Sequence, residues 1–204
     1  DKFNPLYFAD IYARNGSAAI SVLTDSHFQG SLQTLKDVKK AVSNFRIPVL
    51  RKDFIFDPYQ VYETRAFGAD AFLLIVAILE EKQLRELLTL GKRLWMQALV
   101  EIHNQTELDT ALSAGAEIIG INNRDLHTFK TNFQVTEKHV PHIPRGKIIV
   151  SESGIRNRSD MLKLHSLGVN AALVGESLLT SHDPKSKILE LLGTISPLSG
   201  KRSA

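Results

Sequence analysis

Seven short runs dominated by Val, Ile, Leu and Ala punctuate the chain, at Ala18–Thr24, Pro48–Lys52, Ala71–Ile78, Ala98–Ile102, Ile118–Asn122, Lys147–Ser151 and Ala171–Gly175. They are nearly continuous in apolar character rather than alternating, the pattern of parallel strands covered on both faces. Each is followed by an amphipathic stretch. Asn4-Pro5, Asp57-Pro58 and Asp183-Pro184 each set a capping side chain before a first-turn proline, and Gly16, Gly68, Gly115 and Gly168 stand where left-handed C-caps fall. Further helices are predicted near Ser31–Ser43, Glu80–Leu94, Gln105–Ala114, Phe133–His139 and Asn157–Leu167, which makes eight helices against seven strands.

Strict strand–helix alternation allows an open doubly wound sheet or a closed eightfold barrel. Polar residues gather where the runs end: Thr24-Asp25, Lys52-Asp53, Glu101, Asn122-Asn123-Arg124, Ser151-Glu152-Ser153 and Gly175-Glu176. Chemistry drawn from the ends of many strands suits a barrel mouth, whereas an open sheet concentrates ligands at one switch point. The expected fold is therefore an α/β (βα)8 TIM barrel. The chain opens on a helix, so the expectation is that its first strand lies before Asp1. Residues 1–195 are predicted to form one barrel domain and 196–204 a flexible tail.

The 204-residue length fits one domain, and 43% hydrophobic with 23% charged residues is a globular composition, neither disordered nor repetitive. No apolar run reaches the roughly 18–20 residues of a membrane span, and the first residues lack the apolar core of a signal peptide. With no Cys, chemistry must run on His, carboxylates, Lys, Arg or hydroxyls. The net charge of +3 comes from interleaved signs rather than a basic stripe, which argues against nucleic acid and offers at most a weak pull on a small anion. Cytoplasm is the favoured compartment.

Lys52 closes the second run, where a lysine can donate a proton or anchor an anion; the alternative is a snorkelling surface lysine. Glu101 and Glu152 close two later runs, and two carboxylates with a lysine at one mouth can divide acid and base work; the alternative is a structural ion network. Asn122 and Asn123 supply amides or merely turn, and Arg124 supplies a guanidinium or a surface charge. Ser153-Gly154 and Gly175-Glu176 follow adjacent late runs, where backbone N–H groups can cradle a phosphate. The seven histidines show no metal-ligand spacing. Phe54 and Trp95 read as core or pocket lining.

At these residues the chain resembles the indole-3-glycerol phosphate synthase family. The resemblance rests on Ile20-Ser21-Val22-Leu23-Thr24-Asp25, Pro48-Val49-Leu50-Arg51-Lys52-Asp53-Phe54 with Asp57-Pro58-Tyr59-Gln60, and Leu99-Val100-Glu101-Ile102-His103. It continues through Gly120-Ile121-Asn122-Asn123-Arg124-Asp125-Leu126, Val150-Ser151-Glu152-Ser153-Gly154-Ile155 and Leu173-Val174-Gly175-Glu176-Ser177-Leu178. It implies a phosphate-binding barrel that closes the ring of 1-(2-carboxyphenylamino)-1-deoxyribulose 5-phosphate, losing CO2 and water, without cofactor or metal. Lys52 would protonate the ketone oxygen and Glu101 would serve the later dehydration. Asn122, Arg124 and Glu152 would orient the substrate, Phe54 and Leu126 would wall its aromatic ring, and Ser153, Gly154, Gly175 and Glu176 would hold its phosphate.

Three features depart from the family pattern. The family's first strand with its Glu-x-Lys pair, and the Ser-Pro-Ser-Lys-Gly loop after it, have no counterpart here, so part of the anion grip is expected to be absent. The loop Ser26–Ser31 is one residue short, and Trp95 stands where glycine is common. A barrel complete in itself is expected to be monomeric, one with two open strand edges to self-associate. A plastid address before Asp1 is compatible with this picture. Competing readings are a catalytically dead phosphate-binding barrel and another phosphate-handling barrel such as phosphoribosylanthranilate isomerase.

Overall fold

The computed structural model describes residues 3–125, 128 and 130–194. Leu126 and the tail assigned to 196–204 therefore lie outside the described residues. Seven parallel strands run in sequence order from β1 to β7: β1 Ile20–Leu23, β2 Val49–Lys52, β3 Ala71–Ile75, β4 Gln97–Ile102, β5 Ile118–Asn122, β6 Ile148–Glu152 and β7 Ala171–Leu173. Strand neighbours in sequence are neighbours in space, as in a (βα)8 barrel with one strand position unfilled. Every predicted strand is present, within a few residues at each end.

The helices between them are α1 Pro5–Arg14, α2 Leu32–Ala41, α3 Pro58–Ala66, α4 Glu81–Arg93, α5 Gln105–Ala114, α6 Gln134–His139, α7 Arg158–Ser166, α8 Glu176–Leu179 and α9 Pro184–Leu192. Asn4, Asp57 and Asp183 cap α1, α3 and α9 through side-chain oxygens, each worth about 1 kcal/mol of helix stability. Gly16, Gly68, Gly115 and Gly168 all hold φ near +90°, which a β-carbon would strain. The four-residue α8 was not predicted, because one turn of helix carries no readable period.

Two apolar layers form. Outward-facing Phe72, Leu74, Val100, Ile102, Ile119 and Ile121 bury against the helices, while inward-facing Leu73, Ile75 and Leu99 pack with Leu50, Ile118 and Val150 along the barrel axis. Not every strand is covered on both faces as expected. On β1 burial alternates, with Leu23 42% exposed, because inward residues at the end of the seven-stranded sheet find no strand opposite among the described residues. Trp95 also corrects the prediction: it is 90% exposed with φ 59°, a surface residue in a left-handed turn rather than core or pocket lining.

Candidate active site

The two-residue period of a strand decides which side chains reach the barrel interior. On β2, β4 and β6, Lys52, Glu101 and Glu152 lie two residues beyond the inward-facing Leu50, Leu99 and Val150, so all three turn inward at the C-terminal mouth. Asn122 ends β5 on the same face. The register sets Glu101 beside Gly120 and Asn122 beside Glu152.

These groups form one buried polar cluster. Lys52 Nζ lies 3.9 Å from Glu101 Oε2, and Asn122 Nδ2 donates to Glu101 Oε1 at 3.0 Å. His103 Nε2 approaches the same Oε1 at 3.2 Å. Burial pushes the Glu101 carboxyl upward, but His103, the Lys52 charge and the Asn122 amide together outweigh it and hold Glu101 below the usual carboxylate range. Glu152 goes the other way. Burial, reinforced by the negative charge of Glu101 and only partly offset by Lys52, pushes it up to about 8, so it carries a proton at neutral pH. Two carboxyl groups at one mouth are thus set to opposite protonation states.

Gly120 makes room for this pair. A β-carbon there would sit 2.2 Å from Glu152 Oε1 and 3.1 Å from Leu99 Cδ1.

The two asparagines separate in role. Asn122 faces the mouth and also accepts the backbone N–H of Arg124 at 3.0 Å. Asn123 is 1% exposed and points toward α6, donating to Ser151 Oγ and to the Ser153 carbonyl while accepting from the Thr136 backbone N–H and hydroxyl. It fixes the turn that carries Ser153 and Gly154, whose φ values are 65° and 81°. Arg51, beside Lys52, turns outward and is saturated by Thr24, Asp53, Glu63 and Thr64 under α3.

Ser153 and Gly154 sit at the exit of β6, and Gly175 caps α8 at the exit of β7. Ser177 Oγ donates to the Ile155 carbonyl at 3.0 Å and ties the two turns together. The first N–H groups of α8 have no partner within the helix, as at any helix start. The Glu176 carboxylate turns aside to Arg124, whose Nη2 donates to it at 2.8 Å. Phe54 follows β2 at the rim, 42% exposed.

A sequence model described as indole-3-glycerol phosphate synthase matches residues 1–191. The chain belongs to the indole-3-glycerol phosphate synthase family. A relative of that name from Dehalococcoides mccartyi (strain ATCC BAA-2266 / KCTC 15142 / 195) is 56% identical over 191 residues, covering 93% of this chain and 74% of the relative. Another, from Roseiflexus sp. (strain RS-1), is 50% identical over 199 residues, covering 95% and 74%. Among solved structures, a 3-hexulose-6-phosphate synthase superposes with TM-score 0.74 at 12% identity, covering 96% of this chain and 97% of its own. Thiamine phosphate pyrophosphorylase from Pyrococcus furiosus gives 0.72 at 14%, covering 92% and 87%. At such identities these two establish the barrel fold alone, whereas membership of the synthase family rests on sequence.

Of the residues expected to form the synthase site, Lys52, Glu101, Asn122 and Glu152 converge at one mouth. Arg124, Ser153, Gly154, Gly175 and Glu176 lie on the adjoining strand exits, and Phe54 on the rim. Two residues escaped the sequence reading. His103 fits no metal spacing, although its place two residues after Glu101 and four before Glu107 is itself a signal. Gly120 carries no readable role in the sequence, since its need for space depends on Glu152 of the neighbouring strand.

Proposed function

We propose that this chain carries the ring-closing lyase chemistry of its family, converting 1-(2-carboxyphenylamino)-1-deoxyribulose 5-phosphate into indole-3-glycerol phosphate, CO2 and water for tryptophan biosynthesis. The observation that carries the reading is the convergence of one lysine, one ionised carboxylate and one neutral carboxyl at the mouth of a barrel of this family.

The reaction needs an acid near the ketone oxygen while the ring carbon attacks, carboxylate that departs as CO2, and a donor for the hydroxyl that leaves as water. Lys52 is the acid for ring closure. Glu101, ionised before substrate arrives, is the base or relay for dehydration. Glu152 is held neutral and can donate a hydrogen bond to substrate oxygen, alongside the Asn122 amide. Arg124 orients the substrate, Phe54 and Leu126 wall the aromatic ring, and the Ser153-Gly154 and Gly175-Glu176 turns hold the phosphate through backbone N–H groups. Glu176 need not oppose that anion, because its carboxylate faces Arg124.

The test is to mix the substrate with this chain, and with the chain supplied with a first strand, and to measure indole fluorescence and released CO2. Equal amounts of indole product and CO2 from either form support the reading. Absence of product from both overturns it.

A further inference from the structure

Glu101 has a neighbour that the ring-closing chemistry has not used. His103 follows β4 directly and is mostly buried between two carboxylates: Nε2 is 3.2 Å from Glu101 Oε1, and Nδ1 is 3.0 Å from Glu107 Oε2. Glu107 is itself fixed. Its Oε2 also accepts the His103 backbone N–H at 2.8 Å, its Oε1 accepts Asn104 Nδ2 at 2.6 Å, and its own N–H is capped by Asn104 Oδ1 at 3.0 Å. The Nδ1 side hydrogen-bonds Glu107, while Nε2 meets Glu101 as a close ionic contact without hydrogen-bond alignment, so the ring is held between two carboxylates and attracts both most strongly when both its nitrogens carry protons. We propose that His103 and Glu107 are positioning residues, a cation and its anchor that hold the Glu101 carboxylate charged and fixed at the barrel mouth.

The surrounding groups support a cation here. Burial opposes it, but Glu101 and Glu107 outweigh burial and push His103 up to about 9. Lys52 on β2 and the neutral Glu152 on β6 face Glu101 from across the mouth. Lys138 and His139 on α6 line, together with His103, a cleft of about 320 Å³ beside α5. His139 is held below its ordinary value by burial, reinforced by Lys138, so it adds no competing charge at neutral pH. Without the His103 cation, Glu101 would face its burial with Lys52 at 3.9 Å as the remaining charge partner. The step resembles the orienting carboxylate–histidine pairs of other active sites, except that the histidine here supports a carboxylate instead of exchanging substrate protons.

This inference rests on the role given to Glu101, and its test includes readouts that need no turnover. Nitrogen-15 spectra of labelled histidine should show His103 as an imidazolium at pH 7.5. Glu107→Gln should lower its titration point, and in His103→Gln the carbon-13 carboxyl signal of Glu101 should titrate at higher pH than in the parent. In the turnover assay, His103→Gln should lower kcat at least tenfold at pH 7.5 with KM little changed, and the gap should narrow above pH 9 as the parent loses the same charge. A neutral His103 ring at pH 7.5, or an unmoved Glu101 titration in a folded variant, overturns the proposal. If neither this chain nor the form supplied with a first strand makes product while the spectra behave as expected, the lyase reading fails and the positioning unit stands. A parent and a His103→Gln variant with equal kcat would sink the positioning unit alone.

Discussion

Replacing Asn123 by alanine separates scaffold from chemistry at a place where two adjacent asparagines look alike in sequence. Its side chain is 1% exposed and satisfies four partners. After truncation the Thr136 and Ser151 hydroxyls still have each other at 2.8 Å. The Thr136 N–H and the Ser153 carbonyl are left without their side-chain partner. An unsatisfied buried backbone group costs roughly 1–3 kcal/mol, and water entering the space of the lost amide recovers part of it, so the net loss should be about 2–4 kcal/mol. For a domain of this size that lowers Tm by roughly 4–16 °C. Thermal unfolding followed by circular dichroism reads the shift. Asn122→Ala serves as comparison, since its amide bonds Glu101 and the Arg124 N–H at the mouth; it should cost less stability and more turnover. An Asn123→Ala protein that melts with the parent would refute the assignment of Asn123 to the scaffold.

Three other outcomes are expected. Gly120→Ala drives a methyl to 2.2 Å from Glu152 Oε1, so it should displace that carboxyl and cut kcat sharply, whereas unaltered kinetics would show that the space is not needed. Glu152 is an acid whose folded pKa, about 8, lies above its unfolded value near 4.5. The folded state therefore holds the extra proton between those two pH values, and stability from this group is complete at low pH and lost as pH rises through about 8. Glu152→Gln should remove that loss, so its Tm should gain on the parent between pH 5 and 9; parallel Tm curves would contradict a buried neutral carboxyl. Trp95→Gly relieves a left-handed turn of a non-glycine residue at an exposed position and should raise stability by roughly 1 kcal/mol, measured by urea unfolding.

Much of this site was legible because strand geometry converts position into direction. Leu50 and Lys52, Leu99 and Glu101, Val150 and Glu152 share a face by period alone, so apolar runs ending in charged residues already point those charges into a barrel mouth. Helix starts were equally plain, since Asn-Pro and Asp-Pro pairs fix a cap and a first turn locally. What the sequence hid depends on contacts between elements. Gly120 matters because Glu152 leans over it from the next strand. The cation at His103 depends on Glu107 curling back from α5. Opposite protonation of Glu101 and Glu152 depends on how burial and charge divide between them, and the exposed inward face of β1 on what stands opposite it. Trp95 misled because a large aromatic side chain suggests burial, while the turn it occupies faces solvent.

The most direct test of the central claim, that the lysine at the end of β2 is the acid for ring closure, is single-turnover kinetics of Lys52→Ala beside the parent. The form that turns over is used for both, with affinity for indole-3-glycerol phosphate measured in parallel. A rate lowered by roughly 100- to 10,000-fold with affinity nearly kept is the predicted result. An unchanged rate would remove Lys52 from the chemistry, and with it the account of the barrel mouth as the site of ring closure.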